Sequence, residues 1–98
     1  MEIFKEETES KGRLVAKDGD AEMGEMTFSL ANEGQLLIVD HTGVNEGFEG
    51  TGVGKALFEE LVKTTRAEER KVMPLCPFTR AMFEKNTDKW DVLRHGSL

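Results

Sequence analysis

A glycine-rich segment between two apolar stretches limits what this chain can fold into. The apolar run at residues 36–39 precedes it, and a helical pattern follows, in which Val53, Leu57 and Leu61 recur one turn apart. Glycines stand between them at positions 43, 47, 50, 52 and 54. The order is therefore strand, glycine-rich loop and helix.

The last three of these glycines lie at the predicted start of the helix. Bare backbone N–H groups there, with the partial positive charge of the helix dipole, suit a phosphate group. A Walker A loop does not fit, because Glu49 stands where its first glycine belongs and Ala56 replaces its hydroxyl residue. The dinucleotide fingerprint does not fit either, because its third glycine position holds Lys55. What fits is x-x-Gly-x-Gly over residues 49–54.

This loop resembles the pyrophosphate loop of the GNAT superfamily, the acetyl-CoA-dependent N-acetyltransferases. The usual pattern begins with Gln or Arg, whereas this chain has Glu49. The resemblance implies that acetyl-CoA or coenzyme A is the co-substrate and that it lies between two central parallel strands. The implied contact residues are Thr42, Val44, Glu49, Gly50, Thr51, Gly52, Val53, Gly54, Lys55 and Cys76.

Three blocks in order carry a closer resemblance, to the small single-domain YjdJ-type acetyltransferase-like family. They are Asp40-His41-Thr42 with Val44, then residues 50–57, then Cys76-Pro77-Phe78 followed by Phe83, Trp90, Asp91, Val92 and Leu93. The resemblance covers residues 12–93. It implies that His41 and Cys76 face the acetyl-CoA site.

The predicted fold is α+β and forms one domain over residues 1–98. It is a minimal GNAT-like fold, with antiparallel N-terminal strands leading into a β-α-β parallel unit with splayed central strands, then a short C-terminal helix. We expect strands at residues 3–9, 13–17, 21–30, 35–41 and 71–76, and helices at residues 51–67 and 78–85. Met23 is out of phase with Met26, which predicts a β-bulge at Gly24-Glu25. Alternation in the central strand places Leu37, Val39 and His41 on one face.

Acetyl transfer to an amine needs a base, and His41 is the only histidine outside the tail. It also needs a donor for the oxyanion, for which a strand N–H near Thr42 or Val44 would suit. Many GNAT enzymes protonate the leaving thiolate with a tyrosine, but this chain contains none. Cys76 or water must then do so, or Cys76 itself accepts the acetyl group as a nucleophile.

The composition limits which partners and which cellular compartment we expect. The net charge is −6 and the Lys and Arg residues are scattered, which disfavours nucleic acid. No apolar run approaches a membrane span, and no signal peptide is visible. One cysteine agrees with a reducing cytoplasm, and no metal motif occurs, so we expect no metal. We expect a monomer or weak dimer.

The acceptor is not identified by the sequence. The short length of the family that the chain resembles implies that the walls which usually enclose an acceptor are missing. Such an open site favours a protein side chain or terminus, or a poorly selected amine, over a small metabolite. An alternative function is a module that binds CoA or acyl-CoA without turnover, since the tyrosine is missing and Glu49 replaces the usual residue. A nucleotide-binding domain is a third hypothesis.

Overall fold

A computed structural model describes residues 1–98, and its centre is a five-stranded sheet with the strand order β1-β2-β3-β4-β5. The elements in chain order are β1 (Glu2–Glu7), β2 (Lys11–Asp18), β3 (Ala21–Ala31), β4 (Leu36–Val44), α1 (Val53–Ala67), β5 (Lys71–Pro74), α2 (Pro77–Lys85) and a 3₁₀ helix (Thr87–Val92). The predicted α+β class is confirmed.

The first four strands pair antiparallel with their neighbours, and β5 pairs parallel with β4 through the α1 crossover. In the β2–β3 ladder, Ala16 pairs with Gly24 and Lys17 pairs with Glu22, which leaves Met23 as an extra residue. This bulge was predicted one residue away, from the phase of the methionines. It allows Met23 and Met26 to be buried on the same face.

The helices pack on one face of the sheet, which we call the helix face. Phe58 of α1 meets Phe83 of α2 edge to face, with ring centroids 4.9 Å apart. Leu37 and Val39 of β4 join the same core. β4 is an interior strand between β3 and the edge strand β5, and both helices cover the same side of it. We call the other side the open face.

A pair of charged side chains joins the end of β1 to the residue that precedes β5. Arg70 donates two hydrogen bonds of 2.9 Å to the carboxylate of Glu7, and neither side chain is more than a quarter exposed. The hydrogen bonds from Arg70 hold the pKa of Glu7 below its ordinary value, against the opposing effect of burial. Since the folded-state pKa is the lower one, the pair stabilises the fold above the unfolded pKa and stops doing so as the pH falls through the folded pKa.

We therefore expect Glu7→Gln to lower the free energy of unfolding at neutral pH by about 0.5–1 kcal/mol. The difference from the wild type should shrink as the pH falls below about 4.5, and it should vanish below the folded-state pKa of Glu7, where both chains carry a neutral group at position 7. Urea unfolding at neutral and acidic pH measures the difference in the free energy of unfolding between the two chains. Glu84→Gln removes an exposed carboxylate without an ion pair and serves as the control. A difference that persists in acid would contradict the charge argument.

Candidate active site between β4 and β5

The two parallel strands, β4 and the edge strand β5, separate after a short paired region. Their ladder ends where Val39 pairs with Pro74. The N–H groups of Leu75 and Cys76 then both donate to the carbonyl of Val39, at 2.9 and 3.0 Å, and α2 begins at the next residue. β4 continues to Val44 with β3 as its only partner. β5 ends at this point, so the edge of β4 from Asp40 to Val44 has no strand partner on the β5 side. We call this unpaired edge, with the start of α2 beside it, the β4–β5 cleft; the early end of the ladder agrees with the predicted splay.

A second bulge lies in β4, at the start of the cleft. Val39 pairs with Phe28 and His41 pairs with Thr27, so Asp40 is an extra residue. Asp40 accepts a hydrogen bond of 2.6 Å from the hydroxyl of Thr27. The bulge was not predicted, because the residues that follow the apolar run are polar and show no break in phase.

The Asp40 bulge reverses which side chains face the helices. Beyond it, Thr42 lies opposite the core residue Met26 and contacts Cys76 on the helix face. His41 lies on the open face, beside Gly43. The prediction that His41 shares a face with Val39 and Leu37 is therefore wrong. His41 and Cys76 lie on opposite sides of the sheet, contrary to the expectation that both face one site.

The main chain of β4 also presents donors to the cleft. The N–H of Asn45 donates to the carbonyl of Met23 in β3, at 2.8 Å. Because backbone groups alternate along a strand, the N–H groups of Thr42 and Val44 point the other way, into the cleft. No residue of β5 pairs with either of them. They are the strand amides named in the sequence analysis as oxyanion donors, and that role stays a prediction.

The glycine-rich loop ends at an uncapped helix terminus. Gly50 and Gly52 have φ angles of +76° and +85°, and a Cβ atom at either would meet nothing within 4 Å. Gly52 is the N-cap residue of α1, and no side chain caps the helix. The first intrahelical bond runs from the N–H of Ala56 to the carbonyl of Gly52, so the amides of residues 53–55 have no partner within the helix.

Gly54 serves a different purpose, which is close packing. A Cβ atom there would lie 2.9 Å from the ring of Phe78 in α2. The absence of a side chain thus brings the N-terminal ends of α1 and α2 together. Val53 is buried in the core, at 1% exposure, so it offers a ligand only its backbone.

Glu49 and Thr51 form hydrogen bonds within the loop, whereas Lys55 has no partner. Glu49 accepts a hydrogen bond of 3.0 Å from the N–H of Gly47, and the hydroxyl of Thr51 donates to the carbonyl of Phe48. Both side chains therefore brace the loop itself. Lys55 is exposed, makes no ion pair, and lies in a first helical turn that contains no acidic residue. A lone cation at the positive end of a helix is unfavourable unless an anion binds there.

Cys76 is the N-cap residue of α2 and is only 4% exposed. Its Sγ lies 3.4 Å from Oγ1 of Thr42, which lies 3.5 Å from Oγ1 of Thr79. Burial raises the pKa of the Cys76 thiol. The hydroxyls of Thr42 and Thr79 and the amides of Thr79 and Phe78 together outweigh that effect, so the pKa lies below its ordinary value.

The cleft therefore brings together the uncapped end of α1, the cleft-facing amides of β4 and a thiol with a lowered pKa. Thr79 was missed by the sequence reasoning, although its place in the first turn after a Cys-Pro pair was visible. No group of three or more His, Cys, Asp or Glu side chains lies close enough to hold a metal ion. Neither α-helix has the length and apolar surface that a membrane span requires.

A family profile and the solved structures of similar proteins both indicate the same family. A family profile described as GCN5-related N-acetyl-transferase matches residues 13–93. A GCN5-like protein from Staphylococcus aureus, solved by NMR, is 29% identical with a TM-score of 0.62, and the match covers 95% of this chain and 92% of that one. A ribosomal-protein-alanine N-acetyltransferase from Brucella melitensis biovar Abortus 2308 is 27% identical with a TM-score of 0.61. That match covers 80% of this chain and 62% of the Brucella chain. No curated protein sequence matches this chain.

Proposed function

The chain belongs to the GCN5-related N-acetyltransferase family, and on that premise we propose that it transfers an acetyl group from acetyl-CoA to a primary amine. The observation that carries the proposal is the separation of β4 from β5 beside the uncapped start of α1. The three matching sequence blocks further support placement in the small YjdJ-type group. The single cysteine that this chemistry uses suits a reducing compartment, and we propose the cytoplasm.

The residues at the start of α1 fit the diphosphate of CoA. Gly50 and Gly52 leave open space above the loop, and the amides of residues 53–55 are free to donate. Lys55 adds an unpaired positive charge on the same turn. When bound, acetyl-CoA supplies an acyl thioester. The amides of Thr42 and Val44 can donate to its carbonyl oxygen as negative charge develops there.

Cys76 has two possible roles, and the lowered pKa supports both. In the covalent route its thiolate forms a bond to the acetyl carbon while the thioester C–S bond breaks, and CoA leaves as a thiolate that takes up a proton. The amine then attacks the acetyl-cysteine, which restores the Cys76 thiolate and releases one proton. In the direct route the amine nitrogen forms a bond to the acetyl carbon while the C–S bond breaks, and the Cys76 thiol gives its proton to the leaving thiolate. The proton that the amine releases restores the thiol.

His41 keeps one role in this proposal, as a base on the open face. An amine that enters the cleft from that side would meet the imidazole before it meets the thioester. The open face has no helix that would enclose a small metabolite, which supports a protein side chain or terminus as the acceptor. The name of the Brucella neighbour, a ribosomal-protein-alanine N-acetyltransferase, adds support for a protein acceptor.

A second candidate function is a CoA-binding module without turnover. It is favoured by the absence of tyrosine and by the placement of His41 and Cys76 on opposite faces. Calorimetry with CoA, paired with a thiol-release assay on acetyl-CoA with lysine and N-terminal peptide amines, distinguishes the two. Binding with thiol release supports the transferase, and binding without release for any amine supports the module. No binding of CoA would overturn both, and competition by ATP would revive the nucleotide hypothesis.

A further inference from the structure

A buried threonine in α2 forms part of the surroundings of the site thiol. The side chain of Thr79 is 0% exposed, and its Oγ1 lies 3.5 Å from Oγ1 of Thr42 on β4. Oγ1 of Thr42 in turn lies 3.4 Å from Sγ of Cys76. A row of three polar groups therefore joins the start of α2 to the strand across the cleft.

The hydroxyl of Thr79 behaves differently from the other helical threonine hydroxyls. Thr64 and Thr65 in α1 donate to carbonyls of the preceding turn, at 2.9 and 2.6 Å. Thr79 is the third residue of α2, after Pro77, and its hydroxyl makes no such bond. Its hydrogen-bonding capacity is directed to the site and not to its own helix.

We infer that Thr79 is a positioning residue, whose hydroxyl orients the hydroxyl of Thr42 toward the sulfur of Cys76. When the sulfur is a thiol, its S–H can donate to Thr42 Oγ1. A thiolate can only accept, so the Thr42 hydroxyl must turn and donate to it. When the Thr42 oxygen then accepts from the Thr79 hydroxyl, that bond polarises the Thr42 O–H toward the charged sulfur. The Thr79 hydroxyl thus stabilises the charged form of Cys76 more than the neutral form.

No charged side chain competes with this arrangement. Arg80 of α2 donates to a backbone carbonyl of the C-terminal segment, and Lys55 of α1 is exposed. Asp40 and His41 of β4 lie on the open face, away from the thiol. Lys71 of β5 donates to a backbone carbonyl of the 3₁₀ helix. The hydroxyls and the α2 amides are therefore the groups that set the ionisation of Cys76.

The experiment is a pH titration of the ultraviolet absorbance of the thiolate. The chain has one cysteine and no tyrosine, so no phenolate absorbs alongside Cys76. Replacing Thr79 by the isosteric valine should raise the midpoint by about half to one pH unit, as expected for one lost hydrogen bond to the charged form. Thr79→Ser keeps the hydroxyl and should titrate like the wild type.

Two further variants separate the positioning role from a structural one. Thr65→Val also removes a fully buried helical hydroxyl, but one bonded within α1, so it should leave the midpoint unchanged. In a Thr42→Val background, Thr79→Val should add almost no further shift. An unchanged midpoint in folded Thr79→Val, an equal shift in Thr79→Ser, or a full shift in the Thr42→Val background would each overturn the inference.

The role of Thr79 matters for catalysis only if the proposed function holds, but its test does not depend on that function. The titration contains no acetyl-CoA and no amine. A protein that fails to transfer acetyl can still show the midpoint shift, and an active transferase can lack it. Failure of the inference and failure of the proposed function are therefore distinguishable.

Discussion

Gly52→Asp should weaken CoA binding on the order of a thousandfold. The variant places a carboxylate at the N-cap of α1, where a Cβ atom meets nothing and the side chain would project into the space assigned to the diphosphate. Two like charges about 4 Å apart, at an effective dielectric constant of about 20, repel each other by about 4 kcal/mol. Calorimetric titration with CoA measures the loss.

The chain offers a matched control at Gly34. Its φ angle is +86°, against +85° at Gly52, so an aspartate at either position takes the same left-handed φ. A Cβ atom at Gly34 meets only the terminal nitrogen of Arg70, at 4.0 Å, and the residue precedes β4 at the end opposite the cleft. Gly34→Asp should bind CoA like the wild type. Equal affinity of the folded Gly52→Asp variant would show that the phosphates bind elsewhere.

Cys76→Ser should reduce acetyl transfer by about 10²- to 10⁴-fold while CoA affinity changes little. Serine is close to cysteine in size and is a favoured N-cap residue, so α2 should form as before. The hydroxyl is a far weaker acid and nucleophile than a thiol at neutral pH. A rate assay of thiol release, with calorimetry as the check on binding, measures both quantities.

Intact-mass measurement after mixing with acetyl-CoA separates the two routes through Cys76. One added acetyl group on the wild type, absent from Cys76→Ser, indicates the covalent route. Transfer by the wild type without any adduct leaves the direct route, with Cys76 as the acid. A Cys76→Ser variant with the wild-type rate would contradict both and leave the thiol as a buried packing group.

The sequence predicted the five strands and the two α-helices of this fold because most of the signals are local. Alternating apolar residues predicted β3, and the phase difference between Met23 and Met26 predicted its bulge. The glycine-rich loop before the apolar stripe predicted the start of α1 to within two residues. Each of these depends on neighbours in the chain, which the sequence displays directly.

The parts that were missed depend on contacts between distant segments. The Asp40 bulge is decided by pairing with β3, where Thr27 and Phe28 meet His41 and Val39, and no local pattern marks it. His41 was placed on the wrong face for that reason. Thr79 acquires its role only because α2 sets it against Thr42, a residue 37 positions earlier. Periodicity carries no information about such a contact.

The extra residue in β4 has a consequence for how chains of this kind can diverge. A strand tolerates many substitutions, but shortening it by one position rotates everything downstream by half a turn. Without Asp40, the side chain of His41 would lie on the helix face, and the side chain of Thr42 would lie on the open face, out of contact with Cys76. Natural variation should therefore alter the identity of that residue freely while conserving the number of residues between Val39 and Thr42.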